Sequence, residues 1–133
     1  MKKEIIRTIK KLLEKNKNIK FAYLFGSFIK EENKYLDIDI GIYLSSLPDN
    51  VFVETSELKH IISRELRKKN IILRADDIDI VLLNLVSFKF LNRIFKEGVL
   101  ILDKDPDFRT TLIEKNSINF RACVGILKEA EIL

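Results

Sequence analysis

The sequence predicts an α+β fold in which a mixed β-sheet carries helices packed mainly on one face. Apolar residues recur at helical spacing in four segments, and short strand-like apolar runs lie between them. The resulting order is α-β-β-α-β-α-β-α, with about a dozen residues between the first two strands. A single mixed sheet fits this order, and the face without helices is free to carry polar side chains.

The N-terminal half is expected to contain two helices and two strands. Ile5, Ile9 and Leu13 repeat at helical spacing, and Pro48 lies in a break after the second apolar run. The predicted elements are a helix over residues 3–16, strands at about 20–25 and 37–44, and a helix over about 51–69.

The C-terminal half is marked by helix boundary residues. Ser87 is a typical N-cap and Gly98 a typical residue after a helix end, while Pro106 lies near the start of the last helix. The predicted elements are a strand at about 78–83, a helix between Ser87 and Gly98, a strand at 99–102 and a helix from about 107.

Length and composition indicate one domain over residues 1–133, since 47% of the residues are hydrophobic. The longest apolar runs are far shorter than the roughly 20 residues that a membrane helix needs, so no membrane association is expected. Charged residues interrupt the apolar residues at the N-terminus, which argues against a secretory signal. The single cysteine, Cys123, fits a reducing cytoplasm.

The net charge of +4 is a mild basic balance, and the basic residues are scattered. Their densest cluster, Arg64, Arg67, Lys68 and Lys69, ends a predicted helix, where cations complement the helix dipole. Direct nucleic-acid binding is therefore not expected.

A small turn and a pair of aspartates are the most informative motifs. Gly26-Ser27 closes an apolar run, and Asp37-Ile38-Asp39 opens the next one. A glycine turn lets backbone N–H groups approach phosphate oxygens closely. Side chains two residues apart on a strand point to the same face, so Asp37 and Asp39 can hold one or two divalent cations.

The same acidic pattern returns at Asp77-Ile78-Asp79-Ile80. A solvated strand face is the alternative explanation for either copy alone. Carboxylates gathered on one sheet face repel by several kcal/mol if close and unscreened, and a divalent cation removes that cost. A continuous apolar run begins directly after Asp79, so Asp79 is preferred to Asp77 as the third ligand. Mg²⁺ is the natural cation for such oxygen ligands.

These motifs resemble the signature of the polymerase-beta-like nucleotidyltransferase superfamily, and the small size resembles its minimal nucleotidyltransferase (MNT) branch. The resemblance spans roughly residues 20–102. The family often has a basic residue, commonly Arg, shortly after Gly-Ser, and the candidate in this chain is Lys30. The matching segments are Phe25-Gly26-Ser27-Phe28, Leu36-Asp37-Ile38-Asp39-Ile40, Asp79-Ile80-Val81-Leu82-Leu83-Asn84 and Gly98-Val99-Leu100-Ile101.

The resemblance implies an enzyme that transfers AMP from ATP to a hydroxyl with the help of Mg²⁺. Asp79 would bind the catalytic ion and accept the proton of the attacking hydroxyl. The implied site residues are Asp37, Asp39 and Asp79 for metal binding and catalysis, and Gly26, Ser27 and Lys30 for the nucleotide.

The resemblance also implies a partner. MNT proteins are commonly paired with HEPN-domain toxins, as antitoxins that can adenylylate a tyrosine of the toxin. Two alternatives stay open: a non-catalytic antitoxin that neutralises its partner by contact, and a nucleotidyltransferase acting on a small molecule or nucleic acid. Leu127, Ile132 and Leu133 follow Gly125 and predict contact with another chain, either a second copy or the toxin.

Overall fold

The computed structural model describes residues 2–30 and 37–129, without the side chains of residues 123–124 and 126–129. The eight predicted elements are observed in the predicted order, with boundaries within two residues of those expected, and a short helix lies between the first two strands. The elements are α1 (Lys2–Glu14), β1 (Ile19–Phe25), α2 (Ser27–Lys30), β2 (Ile38–Leu44), α3 (Val51–Lys68), β3 (Ile78–Leu82), α4 (Phe88–Glu97), β4 (Val99–Asp103) and α5 (Pro106–Glu129).

The four strands form a mixed sheet in the order β3-β2-β1-β4. β1 is antiparallel to both of its neighbours, whereas β2 and β3 are parallel. The parallel pair needs a long crossover, which α3 supplies. The α+β class and the mixed sheet are therefore as predicted.

One face of the sheet holds the larger core, into which α1 and α3 pack. Alternate strand residues such as Leu24, Ile40 and Ile80 point into it, and Ile5 and Ile62 close it from the two helices. Ile5, Leu24, Ile40 and Ile62 are all 0% exposed. This face accounts for the helical cover that the sequence pattern predicts.

The opposite face of the sheet is covered in part, by α4 and α5. Leu91 and Ile94 of α4 pack with Phe21 and Tyr23 of β1, and α5 adds Phe108 and Leu112. Phe21 and Tyr23 lie on the same face of the sheet as the aspartates of β2 and β3. Burying such large aromatic side chains is strongly favourable, so α4 and α5 cover this part of the face.

The C-terminus of α3 is closed by a left-handed residue. Asn70 has φ 63°, and the Ile71 N–H donates to the Leu66 carbonyl at 3.0 Å. This is the capping geometry that redirects a chain after a helix, with Asn replacing the usual glycine. Among the helices of the described residues, none is long and apolar enough to cross a membrane.

Asn84 extends the pairing of β2 beyond the end of β3. Its Nδ2 donates to the Leu44 carbonyl at 2.9 Å, and the Leu44 N–H donates to its Oδ1 at 2.9 Å. One side-chain amide thus replaces the backbone partner that the sheet no longer provides at this position.

Replacing Asn84 with Ala is expected to destabilise the fold by roughly 1–3 kcal/mol, because both Leu44 backbone groups lose their partner. Urea unfolding of Asn84→Ala against the control Asn92→Ala, which truncates a half-buried asparagine of α4, measures the difference. Equal stability of the two variants would contradict the role assigned to this amide.

Candidate active site

The register of β2 and β3 brings two aspartates side by side. Asp39 is the parallel partner of Asp79, and on its other side it pairs with Phe25 of β1. Both aspartates alternate with buried isoleucines, so both project from the face opposite the larger core. Adjacent strands lie about 4.8 Å apart, which leaves the two carboxylates as close neighbours.

Asp37 lies just before β2 rather than within it, and its side chain is exposed. Burial raises the pKa of the Asp39 carboxyl above its ordinary value, and the negative charges of Asp79 and Asp37 raise it further. In the part of the chain that the structure describes, no Lys, Arg or His forms an ion pair with any of the three. The acidic cluster is thus electrostatically uncompensated.

Asp77 has a different contact. Its Oδ2 accepts a hydrogen bond from the Arg74 N–H at 3.0 Å, which closes the 3-10 turn Ala75–Asp77 before β3. The structure therefore sets Asp79 beside Asp39 and engages Asp77 in a turn.

Gly26 is packed directly against the Asp39 carboxylate. Its φ is +77°, and a Cβ built on it would lie 2.2 Å from Asp39 Oδ2. Its carbonyl accepts hydrogen bonds from the N–H groups of Ile29 and Lys30, both at 3.2 Å, which starts α2. A glycine is required both by the backbone conformation and by the space.

A cavity of about 300 Å³ opens over these residues. Phe25, Val81, Phe90 and Ile94 give it an apolar wall, and the carboxylates of β2 and β3 lie within it. Its described lining consists of Phe25, Gly26, Lys30, Asp39, Asp79, Val81, Phe90, Arg93, Ile94 and Glu97.

Of the predicted site residues, the cavity gathers four. Gly26, Lys30, Asp39 and Asp79 line it. Ser27 begins α2, and it and Asp37 are not among the described lining residues.

Arg93 and Glu97 line the cavity but were not predicted from the sequence. Glu97 Oε2 lies 3.2 Å from Arg93 Nε and 3.4 Å from Lys30 Nζ. Phe90, Arg93 and Glu97 share one face of α4 through their spacing of three and four residues. That spacing was readable from the sequence, but the direction in which the face points was not.

A second cleft, of about 430 Å³, adjoins the cavity and shares Phe90, Arg93 and Glu97 with it. Lys89 and Lys96 give this cleft a basic edge, and Phe120 of α5 lies at its other side. The cavity and the cleft therefore meet at these three side chains of α4.

The donor set suits a divalent cation that is shared with a ligand. Within residues 2–30 and 37–129, no group of three or more Asp, Glu, His or Cys side chains is arranged to hold a metal ion by itself. Two adjacent carboxylates without a cationic partner are nevertheless what Mg²⁺ uses when substrate phosphates and water complete its shell.

Gly26→Ala is expected to destabilise the fold by about 1–2 kcal/mol, because a side chain is strained at this φ and because Asp39 must move. Gly125→Ala is the matched control, since no described atom lies within 4 Å of its Cβ position and Ala favours a helix interior. Urea unfolding should show a loss for the first variant and no loss for the second. Equal behaviour would contradict the close packing of Gly26 on Asp39.

Solved structures with the same fold include complexes of MNT antitoxins with HEPN toxins. One is the tri-AMPylated Shewanella oneidensis HEPN toxin with its MNT antitoxin, at 19% identity over 98% of this chain and 95% of that one, with a TM-score of 0.67. The MntA-HepT toxin-antitoxin gives 19% identity over 96% and 94%, with a TM-score of 0.69. A toxin-antitoxin with AMP-PNP gives 19% over 94% of each chain, with a TM-score of 0.67.

Comparison with curated protein sequences gave no match. The family model described as "Polymerase beta, Nucleotidyltransferase" matches residues 7–107, which include β1 to β4 and the described residues that line the cavity. The chain belongs to the polymerase beta nucleotidyltransferase family.

Proposed function

We propose that this chain is a single-domain, Mg²⁺-dependent nucleotidyltransferase that transfers AMP from ATP to a hydroxyl. The pairing of Asp39 with Asp79 in one cavity with Gly26 is the observation that carries the proposal. Family membership supports the reaction class, and the AMP-PNP complex of a structural neighbour supports ATP as the substrate.

Each site residue has a role in this reaction. Asp37, Asp39 and Asp79 would hold Mg²⁺, which when bound neutralises charge on the triphosphate. Asp79 accepts the proton of the attacking hydroxyl. The hydroxyl oxygen then bonds to the α-phosphorus, and the bond from that phosphorus to the oxygen bridging to the β-phosphate breaks, releasing pyrophosphate.

The remaining polar residues position the triphosphate. The Gly26 backbone comes close enough to the carboxylates to place phosphate oxygens beside them. Ser27 and Lys30 of α2 would hold the β- and γ-phosphates. The apolar wall of Phe25, Phe90 and Ile94 keeps bulk water from one side of the reacting groups.

The acceptor we propose is a tyrosine of a HEPN toxin, with this chain as the antitoxin. Support comes from the structural neighbours, which are MNT antitoxins bound to HEPN toxins. The cleft beside the cavity offers an acceptor a path to the site. A cytoplasmic location and self-association stay predictions from the sequence.

The experiment that tests this function is transfer of labelled AMP from ATP to the co-expressed HEPN partner in Mg²⁺. Asp39→Asn and Asp79→Asn are expected to lose activity by orders of magnitude, because each removes a cation ligand. Asp77→Asn is the matched control and should keep most of its activity.

Wild-type turnover in Asp39→Asn, or a larger loss in Asp77→Asn than in Asp79→Asn, would contradict these roles. If Asp39→Asn still neutralises the toxin although transfer is lost, the alternative of an antitoxin acting by contact would be favoured. Binding of AMP-PNP with and without EDTA shows whether the nucleotide requires the cation.

The raised pKa of Asp39 predicts a dependence of stability on pH. A folded-state pKa above the ordinary value of 3.8 means that folding favours the protonated form. The stability lost through ionisation of Asp39 therefore develops as the pH rises from the ordinary pKa through the folded one, and the loss is complete above the folded pKa. Asp39→Asn should therefore be at least as stable as wild type at pH 7. The stability advantage of Asp39→Asn over wild type should disappear as the pH falls below the ordinary aspartate pKa of 3.8.

Urea unfolding of both proteins from pH 3 to 8 measures this difference, with the exposed Asp49→Asn as control. A wild-type protein that is more stable than Asp39→Asn at neutral pH without Mg²⁺ would overturn the electrostatic interpretation.

A further inference from the structure

One carboxylate engages both cationic side chains of the cavity. Glu97 Oε2 accepts hydrogen bonds from Lys30 Nζ at 3.4 Å and from Arg93 Nε at 3.2 Å. Lys30 ends α2, whereas Arg93 and Glu97 lie on α4. The Lys30–Glu97 contact therefore joins two helices through residues that are 67 positions apart in the sequence. Arg93 and Lys30 together hold the pKa of the Glu97 carboxyl below its ordinary value.

The arrangement has the chemistry of an anion site that is already filled. A carboxylate and a phosphate present similar oxygen acceptors, and Arg and Lys are the side chains that bind both. In the described part of the chain, Lys30 and Arg93 both form their ion pair with Glu97, and neither pairs with Asp39 or Asp79. The positive charges of Lys30 and Arg93 are thus compensated by Glu97, whereas the negative charges of Asp39 and Asp79 have no such partner among the described residues.

We propose that Arg93 is a second phosphate-binding residue and that Glu97 is a built-in competitor of the triphosphate. In the absence of nucleotide, Glu97 occupies the two cations, and a polyphosphate must displace it to bind. The identity of the ligand rests on the proposed function. The inference adds to that function the residues that determine how many negative charges a phosphate ligand must carry to bind well.

The Glu97 ion pairs are weak enough for a phosphate ligand to displace the carboxylate. All three side chains are half exposed or more, so each ion pair is weak and screened by salt. A triphosphate carries several charges and displaces one carboxylate readily, whereas an anion with fewer charges gains less by doing so. Glu97 therefore selects against monophosphates by competing with them, and it can rebind the cations when pyrophosphate leaves.

The test is calorimetric binding of inorganic tripolyphosphate and of AMP-PNP in Mg²⁺. Glu97→Gln should bind both about three- to tenfold more tightly than wild type, because the internal competitor is lost. Its preference for tripolyphosphate over inorganic phosphate should fall. Glu114→Gln, an exposed acid on α5, is the matched control for a change in net charge.

A mutant cycle that treats the loss of the two cations as one step distinguishes competition by Glu97 from a general effect of its negative charge on phosphate binding. Arg93→Gln and Lys30→Gln should each weaken tripolyphosphate binding. In the Lys30→Gln/Arg93→Gln background, adding Glu97→Gln should have no effect, because Glu97 then has no cation to occupy. Circular dichroism of each variant verifies that it is folded.

Three results would overturn the proposal: unchanged or weaker binding by Glu97→Gln, the same gain in the background without the two cations, or no tripolyphosphate binding by either wild type or Glu97→Gln. Tighter tripolyphosphate binding without any AMP transfer would instead leave the competitor in place and refute the proposed function.

Discussion

The site depends on the register of two parallel strands. The partners Ile38 and Ile78, and Ile40 and Ile80, are buried on one face, and the period of two places Asp39 and Asp79 together on the other. Each buried isoleucine contributes about 1.5–3 kcal/mol. Two like charges about 4 Å apart near a protein surface repel by up to about 4 kcal/mol. The four isoleucines outweigh this repulsion, so the core imposes the acidic pair, and a slip of one residue would bury the carboxylates.

The second constraint is the seating of α4. Leu91 and Ile94 pack on the aromatic residues of β1, and the Nδ2 group of the buried Asn116 donates to the Phe88 carbonyl, which fixes α5 against the start of α4. At the other end, a Cβ on Gly98 would lie 2.7 Å from the Ile94 carbonyl oxygen and 3.2 Å from that of Leu24. This close approach to β1 brings the preceding residue, Glu97, to the cavity edge near Lys30.

These two constraints also separate what the sequence could predict from what it could not. The order of elements along the chain and the common face of the carboxylates follow from apolar periodicity, because a period of two assigns each residue to a face regardless of what covers it. The packing of α4 and α5 on the acidic face does not follow, because an amphipathic helix shows which side is apolar but not which surface receives it. Arg93 and Glu97 were missed for this reason. The contact of Gly26 with Asp39 was missed because it depends on the spacing of two strands.

The acidic and the basic side chains of the cavity differ in whether their charge is compensated, and this difference affects how the divalent cation and the triphosphate would bind. Asp39 and Asp79 lack a cationic partner among the described residues, while Lys30 and Arg93 share Glu97. A divalent cation alone satisfies the carboxylates and leaves the Glu97 contacts unchanged. A triphosphate alone meets the repulsion of the carboxylates and must still displace Glu97. Only the two together satisfy both groups, since the cation bridges carboxylates and phosphates while the phosphates take over the basic side chains. The geometry thus favours joint binding of cation and triphosphate over the binding of either alone.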